Sequence, residues 1–165
     1  MYIIKIRDKG KKPTVGDIFV MQFNNGSYLF GRTISTVAKL GSIDRLNLIY
    51  IYNALSNYKT QIPNLDKIFL LVPPIITNNL PWTRGYFEVI KNLPLSKDDV
   101  LEQHCFRSYT SGYYYDEQTN RLDKEYKPCG VFGLDSFMTI DYHVSKALGL
   151  DLSDYKQEIR FRPRH

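Results

Sequence analysis

Asn25-Gly26 is the strongest constraint in this chain, because it sits between two runs that can only be strands: Val15 to Phe23 and Tyr28 to Arg32. Asn-Gly takes the positive φ values of a tight hairpin turn more readily than almost any other dipeptide. A two-residue loop sets Phe23 against Tyr28 and Met21 against Phe30. Period-two geometry then places Phe19, Met21, Phe23, Tyr28 and Phe30 on one face and Ile18, Val20, Gln22 and Leu29 on the other. Both faces carry apolar side chains, so both need cover, as in a twisted antiparallel sheet or a small barrel.

More strand signals follow. Tyr2 to Ile6 reads as a short strand, Leu46 to Tyr52 as a central one and Ile68 to Val72 as a buried one stopped by Pro73-Pro74. Trp82 to Ile90 alternates as a fifth strand, and one helical turn is expected near Ala54-Leu55. Ser96 can cap a short helix whose first turn carries Asp98 and Asp99. Phe106 to Tyr115 reads as one strand with a bulge at Gly112, and Asp116 to Asn120 as the turn of a polar hairpin that returns through Arg121 to Tyr126.

Beyond Lys127-Pro128-Cys129-Gly130 the period lengthens to that of a helix. Leu134, Phe137, Met138, Asp141, Val144, Ala147 and Leu148 recur at helical spacing, Asp135 or Ser136 can cap, and Gly149 can close the helix. Glu158 to Arg162 is expected as an edge strand. The expected fold is therefore mostly β (α+β), with one C-terminal helix packed on the sheet. Residues 1–130 form the β-rich part, and 131–165 add the helix and edge strand to the same domain.

At 165 residues the chain can bury a core without staples. Its two cysteines, Cys105 and Cys129, and the early charges in Met1 to Arg7, which leave no room for a secretory apolar region, suggest a reducing cytoplasm. The longest apolar run, Ile68 to Ile76, is short of a membrane span and contains two prolines. The net charge of +5 raises nucleic acid as a partner, but the excess is concentrated at Lys9, Lys11 and Lys12 and at Arg160 to His165, as in solvated ends.

Residues that could carry chemistry are sparse. His104-Cys105 is the only contiguous nucleophile–base candidate, and on a strand its two side chains point to opposite faces. Pairings of Cys129 with His143, or of Cys105 with His104, across the fold are the further candidates. The cysteines and three histidines lack ligand spacing, so no metal is expected. The carboxylate pairs sit where turns and helix starts place acids, and no phosphate-binding glycine loop is present. Asp17, after Gly16, can bond the backbone amides of its turn.

Tyrosine is the exception to this sparseness. Of the chain's 13 tyrosines, Tyr109, Tyr113, Tyr114 and Tyr115 crowd one stretch beside Arg107 and continue toward Tyr126. Three successive tyrosines cannot all face the core, and aromatic and Arg side chains dominate binding energy where an interface desolvates them. These six residues are the expected partner-binding surface.

The segment Gly16-Asp17-Ile18-Phe19, the turn at Asn25-Gly26 and the following Tyr28-Leu29-Phe30-Gly31-Arg32 resemble the opening of the immunity protein 26 family of bacterial polymorphic toxin systems. Leu80-Pro81-Trp82 and Gly85-Tyr86-Phe87-Glu88-Val89-Ile90 are similar to that family's second region, although Tyr86 stands where Trp is common after the second glycine. The resemblance spans about residues 13 to 95 and loosely to 115. It implies a mostly-β protein that neutralises a cognate toxin by binding it, with no enzymatic activity, cofactor or membrane association. Gly16, Asp17, Phe19, Gly26, Gly31, Arg32, Trp82 and Gly85 would then be its structural signature. The rival expectation is a small basic barrel that binds RNA or DNA, or a barrel-type ribonuclease, and a steep salt dependence of RNA binding would mark it.

Overall fold

The computed structural model describes residues 1–153 and Tyr155. It contains two open sheets. The larger runs in the order β1 (Ile3–Ile4), β2 (Asp17–Phe23), β3 (Tyr28–Leu40), β4 (Ile43–Ser56) and β5 (Ile75–Thr77). α1 (Leu80–Thr83) follows, and β6 (Phe87–Asn92) returns to pair with β2. β7 (Cys105–Arg107), β8 (Tyr114–Tyr115) and β9 (Cys129–Val131) form the second sheet, in the order β8-β7-β9. α2 (Phe137–Ala147) follows β9. The fold is mostly β, with strands that do not close on themselves, so the barrel alternative is not taken.

The β2–β3 hairpin differs from its expected register by one residue. Phe23 N–H donates to Ser27 O at 2.8 Å and Gly26 N–H donates to Phe23 O at 2.9 Å, which makes Asn24-Asn25-Gly26 a three-residue loop. Gly26 supplies the left-handed residue that such loops need, at φ 87°. The pairs are accordingly Gln22 with Tyr28, Met21 with Leu29, Val20 with Phe30 and Phe19 with Gly31. Because a slip of one residue exchanges the faces of a strand, Leu29 joins Phe19, Met21 and Phe23, while Tyr28 and Phe30 join Ile18 and Val20.

Both faces are covered, as the sequence suggests. On one, Ile49, Ile51, Trp82, Phe87 and the α2 residues Ile140 and Val144 pack on Phe19 and Met21. On the other, Leu48, Tyr50, Tyr52 and Ile76 meet Phe106 of the second sheet.

Ser136 caps α2 by accepting from Thr139 N–H at 3.2 Å, and Gly149 follows its end at φ 73°. Its buried stripe is Ile140, Asp141, Val144 and Ser145, rotated from the expected one; Leu134 and Met138 are exposed. The rotation lets the Asp141 carboxylate accept from Ile3 N–H at 3.0 Å, from Tyr2 N–H and from the Tyr155 hydroxyl, tying the first strand to the last helix.

Other expectations fail for identifiable reasons. Ile68 and Phe69 are 71% and 60% exposed, and the strand in that region is Ile75–Thr77, after the prolines rather than before them. Trp82 lies in α1, started by Pro81, and Gly85 at φ 80° separates it from β6. Ala54 and Leu55 belong to β4, not to a helical turn. Glu158 to Arg162 lies outside the described residues.

A Cβ at Gly31 would lie 2.3 Å from Phe19 Cζ and 2.9 Å from Tyr50 O, whereas one at Gly26 meets nothing within 4 Å. Gly31→Ala should therefore cost about 3 kcal/mol or more through overpacking, against about 1 kcal/mol for the backbone strain of Gly26→Ala. Urea denaturation of the two variants checks the order, and equal midpoints would contradict it.

Candidate partner-binding surface

The second sheet gathers the six residues singled out in the sequence, though not on one strand. Arg107 ends β7, and Tyr114 and Tyr115 form β8, pairing with Arg107 and Phe106 respectively; the other three lie outside the strands. A turn separates β7 from β8, closed by Ser108 N–H to Tyr113 O at 2.8 Å and carrying Gly112 at φ 76°. Gly112 is thus a turn residue and not a bulge.

The turn pushes Tyr109 and Tyr113 outward, to 74% and 45% exposure. The Arg121 guanidinium lies 3.4 Å from the Tyr113 ring centre, and that of Arg107 lies 5.4 Å from Tyr109. Cations over ring faces hold both rings in place while leaving their other sides to solvent. Tyr115 instead stacks on Phe132, with ring centres 4.6 Å apart, and serves the packing of the sheet. Tyr126 is half-buried; its hydroxyl donates to Asp123 at 3.0 Å, which pushes its pKa up, and Lys124 lies 5.2 Å from its ring centre.

Three residues that sequence reasoning missed as a group hold this unit on the main sheet. Tyr50 Oη lies 2.5 Å from His104 Nε2, and His104 Nδ1 lies 3.1 Å from Glu117 Oε1. Burial works to raise the Glu117 carboxyl, but the hydrogen bond and charge of His104 outweigh it and leave Glu117 below its ordinary value. Nδ1–H donates to Glu117, Nε2 and the Tyr50 hydroxyl share the second hydrogen bond, and burial pushes the Tyr50 pKa up to about 12. Lys39 N–H also donates to Glu117 O at 2.8 Å. These partners lie far apart in sequence, and no spacing rule connects them.

The signature residues, by contrast, are framework. Asp17 accepts from Thr14 N–H at 2.8 Å and from Asn92 Nδ2 at 2.8 Å. Arg32 is buried; its Nη2 donates to Leu93 O at 2.8 Å and its Nη1 lies 3.3 Å from Asp99 Oδ1. Phe19 stacks on Phe87 at 4.8 Å between centres and meets Trp82 edge-on at 5.2 Å. Gly16 packs against Leu93 O, and Gly85 against Arg7 O.

A small cavity of about 120 Å³ brings the candidate pair Cys129 and His143 to one lining, with Asp135 beside them. Its electrostatics oppose nucleophilic catalysis. Burial pushes the Cys129 thiol up to about 12 and Asp135 up to about 6, and it lowers His143. Each group is driven toward its neutral form, whereas an activated thiol needs the reverse. The Cys129 sulfur lies 3.1 Å from that of Cys105, and both thiols are free. Among the described residues no cluster of three or more His, Cys, Asp or Glu could hold a metal ion.

A family model described as immunity protein 26 matches residues 14–113, more than half of the chain. No curated protein and no solved structure matches. The matched span includes the buried signature, Tyr109 and Tyr113, and it ends before β8.

Cys129 of the native protein should react with iodoacetamide at mildly alkaline pH on the order of a hundredfold more slowly than in urea-unfolded protein, because its thiolate fraction is so small. Mass spectrometry of the alkylated cysteines checks this, and fast labelling of Cys129 in the native state would contradict it.

Proposed function

The chain belongs to the immunity protein 26 family, and from that premise we propose that it binds and neutralises a cognate bacterial toxin as a stoichiometric inhibitor. The family match is the observation that carries this reading. In it the protein is not an enzyme and takes no cofactor. The shifts of Cys129, His143 and Asp135 toward their neutral forms support that view. So does the burial of every signature residue except Gly26, since they serve packing and backbone bonding. The protein acts in the bacterial cytoplasm; among the described residues no helix is long and apolar enough to cross a membrane.

The toxin contact centres on Tyr109 and Tyr113, with Arg107, Tyr114, Tyr115 and Tyr126 around them. Two exposed rings, each held under a cation on a braced turn, offer contact area at little further entropic cost. The net charge of +5 suits an acidic toxin face better than a basic nuclease.

Co-expression with the toxin encoded in the adjacent reading frame tests the reading. Growth should be restored, and the two chains should co-purify at a fixed ratio. Toxicity undiminished by the protein would overturn it, as would tight, strongly salt-dependent RNA binding in place of a complex. Within the complex, Tyr109→Ala with Tyr113→Ala should weaken affinity about thirtyfold or more, in line with the loss of hot-spot rings. The melting temperature should be unchanged. Affinity equal to that of the unaltered protein would remove the tyrosines from the contact.

A further inference from the structure

A cleft of about 510 Å³ opens where the N-terminal segment crosses α1 and β6. Arg7, Lys9 and Lys11 line one side, and Trp82, Phe87 and Val89 the other; Asp8 is not part of the lining. Backbone bonds fix the cationic side: Ile6 N–H donates to Gly85 O at 2.8 Å and Gly10 N–H to Thr83 O at 3.4 Å. Gly10 is pressed so close to α1 that a Cβ there would lie 2.2 Å from Trp82 O. The cations therefore stand on a positioned wall and not on a loose tail, as their sequence context suggests.

Arg7, Lys9 and Lys11 are exposed, and none has an ion-pair partner among the described residues. Three unpaired cations around a concave site with an apolar side make a receptor for anions that carry aliphatic groups. A single nucleic-acid strand fits less well. Its bases need ring faces to stack on, and Trp82 and Phe87 are fully buried, packed edge to face with ring centres 5.1 Å apart. The exposed apolar group is Val89, an aliphatic contact.

We propose that this cleft receives an acidic segment of the toxin, in which Asp or Glu carboxylates meet Arg7, Lys9 and Lys11 and an aliphatic side chain lies against Val89. The assignment rests on the inhibitor reading above and adds a second anchor to it, on a different sheet from the tyrosines. It also gives the positive charge of the N-terminal segment a use: opposite charges speed encounter and fix the docked orientation.

The test uses a fluorescein-labelled peptide of alternating Glu and Leu, the same peptide with Lys for Glu, and a single-stranded RNA oligonucleotide. The acidic peptide should bind saturably and more weakly as salt rises, while the basic one should not bind. Lys9→Glu with Lys11→Glu should weaken binding about tenfold or more without changing the melting temperature, and Lys9→Arg with Lys11→Arg should preserve it. The proposal is overturned by no saturable peptide binding, by equal binding to the Glu variant, or by RNA that binds tighter than the peptide through the same lysines. In the co-expression assay, full rescue by the Glu variant would remove the cleft from toxin capture and leave the inhibitor reading standing. Absence of rescue by the unaltered protein would overturn that reading itself.

Discussion

The packing of Phe19 over Gly31 sets the rest of the structure. Because Gly31 has no side chain, the Phe19 ring occupies space that any Cβ would fill, and from there it stacks on Phe87 and meets Trp82. That arrangement fixes which face of β2 and β3 each residue occupies. It also seats β6 against β2 and α1 beneath the N-terminal segment. On the opposite face the same register puts Arg32 beside Tyr50, where its guanidinium gathers Leu93 O and Asp99. A buried cation left without those partners would carry the full penalty of desolvation, so Arg32 ties the 93–99 segment to the sheet.

Local signals made much of this legible. Asn25-Gly26 marked the hairpin, and Ser136 and Gly149 marked the ends of α2, because turn and cap chemistry acts between neighbours in sequence. The hairpin register was not legible. Asn-Gly serves a two-residue and a three-residue loop alike, and the choice follows from whether Phe19 meets Gly31 or a larger side chain, a matter of packing. Ile68 to Val72 misled for a related reason. Its apolar run has the composition of a buried strand, yet it pairs with β4 only through the Tyr52–Leu70 bridge, the next strand begins at Ile75 after the prolines, and Ile68 and Phe69 are left in solvent. α2 was read with the right limits but a rotated face: Asp141 and Val144 lie on the buried stripe as expected, while Ile140 and Ser145 replace Leu134 and Met138, and nothing local marks Tyr2 and Ile3 as the amides that Asp141 accepts.

For the candidate site, the residue types were visible and the support was not. Crowded tyrosines beside Arg107 stood out, and the turn at Gly112 then decides that Tyr109 and Tyr113, rather than the whole run, face outward. What holds them is the Tyr50–His104–Glu117 chain, built across long separations in sequence. The lysines at the N-terminus looked like a solvated tail until the bonds to Thr83 and Gly85 placed them along a cleft. The half-buried titratable groups at Cys129, Asp135 and His143 are shifted toward their neutral forms, while the unpaired cations of the N-terminal segment lie at the surface.

The central claim is that the toxin is held by surfaces outside the family signature, which is scaffold. Backbone amide hydrogen exchange of the protein, alone and bound to the toxin of the adjacent reading frame, tests it most directly. The account predicts slowed exchange in residues 7–11 and 108–115, with the Asn24-Asn25-Gly26 turn unchanged. Protection confined to that turn and its flanking strands, with 7–11 and 108–115 exchanging as in the free protein, would contradict it.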